Sequence, residues 1–239
     1  MKYLFIIGIS LNSWALLGQS TPVGPAAEQN TRTLASSANT DNAIKWFNNR
    51  YQGVVGHPFL LNDWQQAEVE LADGNLAQTL IKLDISKDEL WAVLTTGDSI
   101  IVNPGLVRSF SILNHDSNQR RAFEFILGRQ PRYSGYFEVL YSGDTYTLLS
   151  KRKKEYKPAV ISGSYVTGNP YDEFVDEESW YYIRKNNELI FLKLKENTII
   201  DILGIPARKV LKEKNLDLKK ESDIVELVKG VDVRANTTP

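Results

Sequence analysis

The sequence predicts a mainly β fold, an antiparallel meander closing into a sandwich or open barrel, with a short N-terminal helix and a small C-terminal helical tail. Three observations carry that prediction. Between residues 67 and 194 about ten short segments alternate apolar with polar residues or form brief apolar runs. Between them stand turn-forming pairs and triplets rather than helical linkers. After residue 195 the spacing of Ile and Leu changes to a helical one.

The elements follow in order. Lys2 precedes the apolar run 3–9, which continues more weakly through Trp14, Ala15, Leu16 and Leu17 to the small residues Gly18 and Ser20. That is the layout of a secretory signal peptide over 1–20, cleaved after Gly18 or Ser20. Ser10, Asn12 and Ser13 interrupt the run, and it falls short of the roughly 20 apolar residues a spanning helix needs, so no stable membrane span is expected after signal removal. Residues 21–40 hold one large aliphatic residue, Leu34, beyond Val23, and read as a disordered spacer. Over 41–51, Ile44, Phe47 and Tyr51 fall at helical spacing behind a capping Thr40 or Asp41.

At 67–71, Ala67, Val69 and Leu71 alternate with Glu68 and Glu70, Asp73-Gly74 turns the chain, and 76–85 returns with Ala77, Thr79, Ile81, Leu83 and Ile85 on one face. Strands are expected at 90–95, 99–103 and 107–113, parted by Thr96-Gly97-Asp98 and Pro104-Gly105, and another around Phe123, Phe125 and Leu127. Two further hairpins are predicted: 136–141 with 145–150 around Ser142-Gly143-Asp144, and 179–184 with 189–194 around Asn186-Asn187. The β-rich unit with its N-terminal helix thus occupies 41–195. In the tail, 196–230, Asn197 or Thr198 caps a helix over 199–203, Gly204 ends it, Pro206 opens a second over 206–214, and a third over 222–229 stops at Gly230. Residues 231–239 read as a frayed end.

Composition narrows the chemistry. The 239 residues include no Cys and 2 His, which removes disulfides, thiolate metal sites and cysteine nucleophiles and leaves almost nothing for an imidazole cage. A net charge of −1 supplies no field to draw nucleic acid. No glycine-rich phosphate loop occurs, and Ser162-Gly163-Ser164 only superficially resembles a nucleophile elbow. His57, fixed before Pro58, and His115, in a polar loop, read as structural and solvated respectively. The acidic group Asp172, Glu173, Asp176, Glu177 and Glu178 lacks the spacing of a calcium loop, and Lys151-Arg152-Lys153-Lys154 reads as a solubilising strand end more readily than as an anion site. Period-two geometry sends Trp180 and Tyr182 to one face of a strand and Tyr181 to the other, and packed layers on both faces are expected there, as for Tyr136, Phe137, Tyr141 and Trp91. No residue is assigned a catalytic, cofactor-binding or metal-ligating role, and no cofactor is expected.

Several of these stretches also form a pattern: 56–60 (GHPFL), 62–64 (NDW), 69–74 (VELADG), 136–143 (YFEVLYSG), 148–151 (LLSK) and 218–223 (LKKESD) before an apolar helix. Over about 53–230 the chain resembles a group of secreted Bacteroidota proteins of unknown function. The resemblance implies export and a β-rich body with a helical tail, and it implies no activity, cofactor or site.

Together these readings point to an exported periplasmic or extracellular protein, a non-enzymatic envelope module that binds a protein, peptide or glycan. The alternative is a carboxylate-dependent glycoside hydrolase acting on envelope or dietary polysaccharide. Paired carboxylates are the one catalytic device this composition permits, at separations of about 5–5.5 Å for retention or 6.5–9.5 Å for inversion.

Overall fold

Alternation and turn chemistry generate the strands at nearly every predicted place. The computed structural model describes residues 51, 53–114, 119–160 and 170–237; the signal-like run, the spacer, residues 41–50, His115 and Ser162-Gly163-Ser164 lie outside them. Among the described residues twelve strands form: β1 (Gln65–Leu71), β2 (Leu76–Asp84), β3 (Glu89–Val93), β4 (Ser99–Val102), β5 (Val107–Asn114), β6 (Gln119–Ile126), β7 (Gly135–Ser142), β8 (Thr147–Lys151), β9 (Lys154–Lys157), β10 (Glu173–Asp176), β11 (Trp180–Lys185) and β12 (Glu188–Leu192). Three helices follow: α1 (Glu196–Leu203), α2 (Ile205–Lys214) and α3 (Glu221–Thr237). The Asn186-Asn187 turn has both residues at positive φ, 49° and 63°, as a two-residue hairpin of matching twist requires.

Ten strands make one antiparallel sheet in the order β12-β11-β8-β7-β6-β5-β1-β2-β3-β4, while β9 and β10 pair separately. The sheet does not close, so the open form of the expected barrel is the one adopted. Its curl follows from chain length. Val102 and Val107 are five Cα steps apart, a reach of at most about 18 Å. In a flat sheet β4 and β5, separated by three strands, would lie about 19 Å apart. The connection is shortened further by a 3-10 turn at Pro104–Leu106, so β5-β1-β2-β3-β4 must roll inward.

Rolling buries a core inside the curl. Val69, Ile81, Leu90, Val102, Phe110 and Phe123 meet there, with the Phe110 and Phe123 rings stacked at 4.9 Å. Tyr136 closes this core from β7; burial, then the nearby Asp88 carboxylate, push its ionisation far above the ordinary tyrosine range. The same face of β8, β11 and β12 is covered differently. Leu148, Ile183 and Leu192 pack under Ile199, Leu203, Val210, Ile224, Leu227 and Val228 of the three helices. The helical tail therefore docks on the sheet.

Three details depart from the sequence reading. First, α1 begins at Glu196 with Lys195 at its cap position and no side-chain cap, so neither Asn197 nor Thr198 caps it; Glu196 in the first turn complements the helix dipole instead. Second, Gly230 does not stop α3, which runs on to Thr237 in place of a frayed end from 231. A Cβ at Gly230 would lie 2.9 Å from Val210 Cγ1, so the glycine serves close approach of α2 and α3, and Val231 and Asp232 beyond it are buried. Third, β9 and β10 were not expected, since KEYK and EFVD lack an apolar alternation.

Helix α3 is fastened at both ends. The Asp232 carboxylate, 2% exposed, accepts hydrogen bonds from the Tyr141 hydroxyl (3.0 Å) and the Asp144, Thr145 and Tyr146 amides (3.0, 2.9 and 3.0 Å) in the β7–β8 turn. Gly143 admits it, because a Cβ there would sit 1.9 Å from Asp232 Oδ2. At the other end Glu221 accepts from Arg152 (2.8 Å) and Tyr181 (3.0 Å), and Arg152 bonds Glu138 (2.7 Å), which Arg121 holds through two nitrogens at 2.6 and 2.9 Å. This charge-balanced cluster fills the seam between the two cores. Burial works against ionisation of Glu138, but Arg121 and Arg152 hold its carboxyl below the usual range.

Candidate functional site: a cleft at the β9–β10 hairpin

The unpredicted hairpin builds the site. Strands β9 and β10 pair with opposite charges facing each other, Lys157 against Glu173 and Lys154 against Asp176, and with Tyr156 against Phe174. The segment after Tyr51 anchors this pair to the body: Val55 bridges to Glu173, its amide bonding Asp172 O (2.8 Å) and its carbonyl accepting from the Phe174 amide (2.9 Å). Gly56, at φ +78°, sits where a Cβ would come 3.1 Å from Phe174 O. Farther on, Phe59 bridges to Asp84, and the amides of Leu60 and Ile85 bond across to Leu83 and Pro58.

Between this segment, the β2–β3 turn and the hairpin lies a cleft of about 650 Å³, a size that suits a small ligand. Its aromatic wall is Tyr51, Phe174 and Tyr156, with ring centroids 5.2 Å apart for the first pair and 5.5 Å for the second. The Tyr51 hydroxyl donates to Asp84 Oδ2 (2.6 Å), and Asp84 also takes the Ser86 amide (2.9 Å), the Ser86 hydroxyl (2.7 Å) and the Lys87 amide (3.1 Å), which shapes the β2–β3 turn. Lys87 consequently projects beside the cleft with its ammonium 5.5 Å from the Tyr51 ring. Lys153 and Lys154 supply two more cations, and Glu155, Asp172 and Glu177 three acids.

Most of these charges are already committed. Asp172 accepts from the Tyr156 hydroxyl and the Ala159 amide, both at 2.7 Å, and the amide followed by the hydroxyl holds its carboxyl below the usual range. Lys153 pairs with Glu177 at 3.2 Å and lies 4.5 Å from the Trp180 ring. Lys154 donates to His57 O (3.1 Å) and approaches Asp176 at 3.6 Å. Burial and Lys154 together hold the His57 imidazole below its ordinary value, so it is neutral at pH 7, stacked on Phe59.

The basic run is dispersed by the strand. Lys151 is buried, pairing with Asp88 at 2.8 Å and lying 5.5 Å from the Phe137 ring, while Arg152 turns to Glu138 and Glu221. Reading the run as a solubilising strand end is thereby corrected: each of the four cations has an acidic partner, and the side chains of Lys151, Arg152 and Lys154 are largely withdrawn from solvent. Burial raises the Asp88 carboxyl above its ordinary value, with Lys151 opposing. The acidic group is likewise spread along β10 and beyond, with Glu177 on Lys153 and Asp176 on Lys154. Among the described residues no cluster of three His, Asp or Glu is placed to hold a metal ion.

The aromatic residues singled out in the sequence pack inward as two layers. Tyr182 is fully buried with Phe137 and Leu149, its hydroxyl on Arg132 O (2.7 Å), and Tyr181 faces the helices. Trp180 shares the Tyr182 face, capped by the Arg132 guanidinium at 5.2 Å. The rings that do line the cleft, Tyr51, Tyr156 and Phe174, carried no comparable signal. The available one was the mirrored charge pattern of KEYK and EFVD, two short strands separated by a 15-residue connection.

Other hollows include one of about 710 Å³ beside Leu194, Leu216 and Leu218 and one of about 490 Å³ on the outer face by Arg108, Glu124 and Leu127. Neither gathers stacked rings with cations. Among the described residues no helix is long and apolar enough to cross a membrane.

Fold and site together define a curled, open antiparallel sheet backed by three helices, with an aromatic cleft at a side hairpin. No family model matches the chain, and no curated protein or solved structure matches it.

Proposed function

We propose that the protein is a non-enzymatic binding module of the cell envelope or extracellular space whose ligand, a sugar or a ring-bearing peptide, stacks in the β9–β10 cleft. The observation that carries this reading is the open wall of Tyr51, Phe174 and Tyr156 flanked by lysines. Aromatic faces favour C–H surfaces of sugars and peptide side chains, and flanking charged groups orient polar substituents. Export is supported by the signal-like layout of 1–20. The hydrolase alternative draws less from the same cleft, since the Ala159 amide and the Tyr156 hydroxyl hold the Asp172 carboxyl below the usual range and Glu177 is engaged by Lys153.

The test is a screen of the full-length protein against arrayed glycans and peptides, followed by calorimetry of any ligand found. Replacing Tyr156→Ala, at a half-exposed ring whose loss spares the core, should weaken binding about fivefold, in line with stacking contributions of roughly 1 kcal/mol. An affinity unchanged by Tyr156→Ala removes the ligand from this cleft, and release of reducing ends from a bound glycan replaces the binding reading with the hydrolase one. Fractionation of producing cells checks export: a full-length cytoplasmic product overturns it.

A further inference from the structure

We propose that the outward stripe of α2, formed by Ile205, Arg208, Lys209 and Lys212, docks the protein on an anionic phospholipid surface. The inference is independent of the cleft.

Positions 205, 208, 209 and 212 recur at i, i+3, i+4 and i+7, so they share one side of the helix. Ala207, Val210 and Leu211 hold the opposite side, buried against α1, α3 and the sheet. All four outward residues are exposed, Ile205 at 73%. Neighbouring charges on α2 are neutralised within the fold: Lys214 pairs with Glu226 of α3, and Glu213 with Arg234. Arg208, Lys209 and Lys212 have no ion pair among the described residues. The charge is also segregated along the chain. Residues 193–220 contain eight Lys and Arg against four Asp and Glu, in a chain whose net charge is −1.

A solvated helix face needs neither an exposed branched aliphatic residue nor an unbroken row of cations. The combination fits an interface. Lys and Arg stems lie along the acyl boundary with their charges at the phosphates, while the aliphatic side chain enters the headgroup layer. A convex single-helix face offers no walls to grip a peptide. A planar array of phosphates meets it without further shape, and each cation near such a surface adds about a fivefold increase in partition.

The experiment is sedimentation of the intact chain with vesicles of phosphatidylcholine alone, or with one quarter phosphatidylglycerol, at 50 and 500 mM NaCl. The apolar run at 3–9 is common to all variants, so the comparison between variants isolates α2. Wild type should prefer the anionic vesicles at low salt and lose that preference at high salt. The triple change Arg208→Gln, Lys209→Gln and Lys212→Gln should lower partition onto anionic vesicles about a hundredfold. Ile205→Ser alone should lower it severalfold at either salt concentration. Thermal melts of both variants within a few degrees of wild type establish that the fold is intact; if the triple variant does not fold, Ile205→Ser with Lys209→Gln serves as the second test, with a drop of at least tenfold expected. Equal partition of wild type and variants, or equal binding to neutral and anionic vesicles, overturns the proposal. Binding to polyglutamate but to neither vesicle also overturns it, in favour of an acidic protein partner.

Discussion

Replacing Asp232→Asn tests how the C-terminal helix is held. The carboxylate accepts four hydrogen bonds, the Thr145 and Tyr146 amides on Oδ1 and the Asp144 amide with the Tyr141 hydroxyl on Oδ2. An asparagine of the same shape keeps its amide oxygen toward Thr145 and Tyr146 and presents its NH2 to Tyr141 and Asp144. The tyrosine hydroxyl can rotate to accept, but the Asp144 N–H is left facing a donor, and the remaining bonds lose their charged acceptor. Hydrogen bonds to charged groups are worth roughly 1.5–3 kcal/mol, so the variant should lose about 2–3 kcal/mol, a fall in Tm of roughly 5–10 °C for a chain of this size.

The pH dependence follows from the direction of the titration. Burial alone would raise the Asp232 carboxyl, but the Thr145 amide, the Tyr141 hydroxyl and the other two amides outweigh it, so the folded value lies below the unfolded one. The stabilisation is therefore fully present above the unfolded carboxylate value of about 3.9 and is lost as pH falls through the lower folded value. Thermal melts of wild type and variant should differ by a constant amount between pH 5 and 8, and the difference should shrink below pH about 4. Amide exchange at Thr145 and Tyr146 should accelerate in the variant at pH 7. Coincident melts at pH 7, or a difference undiminished at pH 3, would refute the electrostatic account of this latch.

Two more changes probe the packing. Gly230→Ala would gain about 1 kcal/mol in an isolated helix, yet here its Cβ meets Val210 at 2.9 Å, so it should destabilise by about 1 kcal/mol; in a Val210→Ala background the same change should stabilise, as a double-mutant cycle in urea would read out. Arg152→Ala strips Glu138 and Glu221 of a shared partner and should cost about 3 kcal/mol, whereas Arg152→Lys should recover under half, because one ammonium cannot span both carboxylates and Ser179; shifts in denaturant midpoint at constant slope check both.

Particular residues show what the sequence made legible. The alternation Ala67, Val69, Leu71 appears as buried residues on one face of β1, and Asn186-Asn187 adopts the positive φ angles its composition implied. The opposite faces of Tyr181 and Tyr182 follow directly from strand geometry. Lys151 through Lys154 shows where such reading ends. Four cations in a row look solvent-facing, yet Lys151 is buried against Asp88, 63 positions earlier, and Arg152 bonds Glu221, 69 positions later. The cleft was illegible for the same reason, since Tyr51, Lys87, Tyr156 and Phe174 come from four separate stretches of chain.

By itself, then, the sequence determined the local alphabet of this protein: which segments extend, which turn, which coil, and which face of each is apolar. These are fixed by steric limits on φ and ψ and by side-chain period, which act within a few residues. Only the tertiary structure decided that the sheet curls without closing, that Gly230 is a contact between α2 and α3 rather than a stop, and that β9 and β10 pair to build a cleft. Those outcomes depend on burial and on charge pairing between residues far apart in the chain, whose energies are realised only once the whole chain has closed around them.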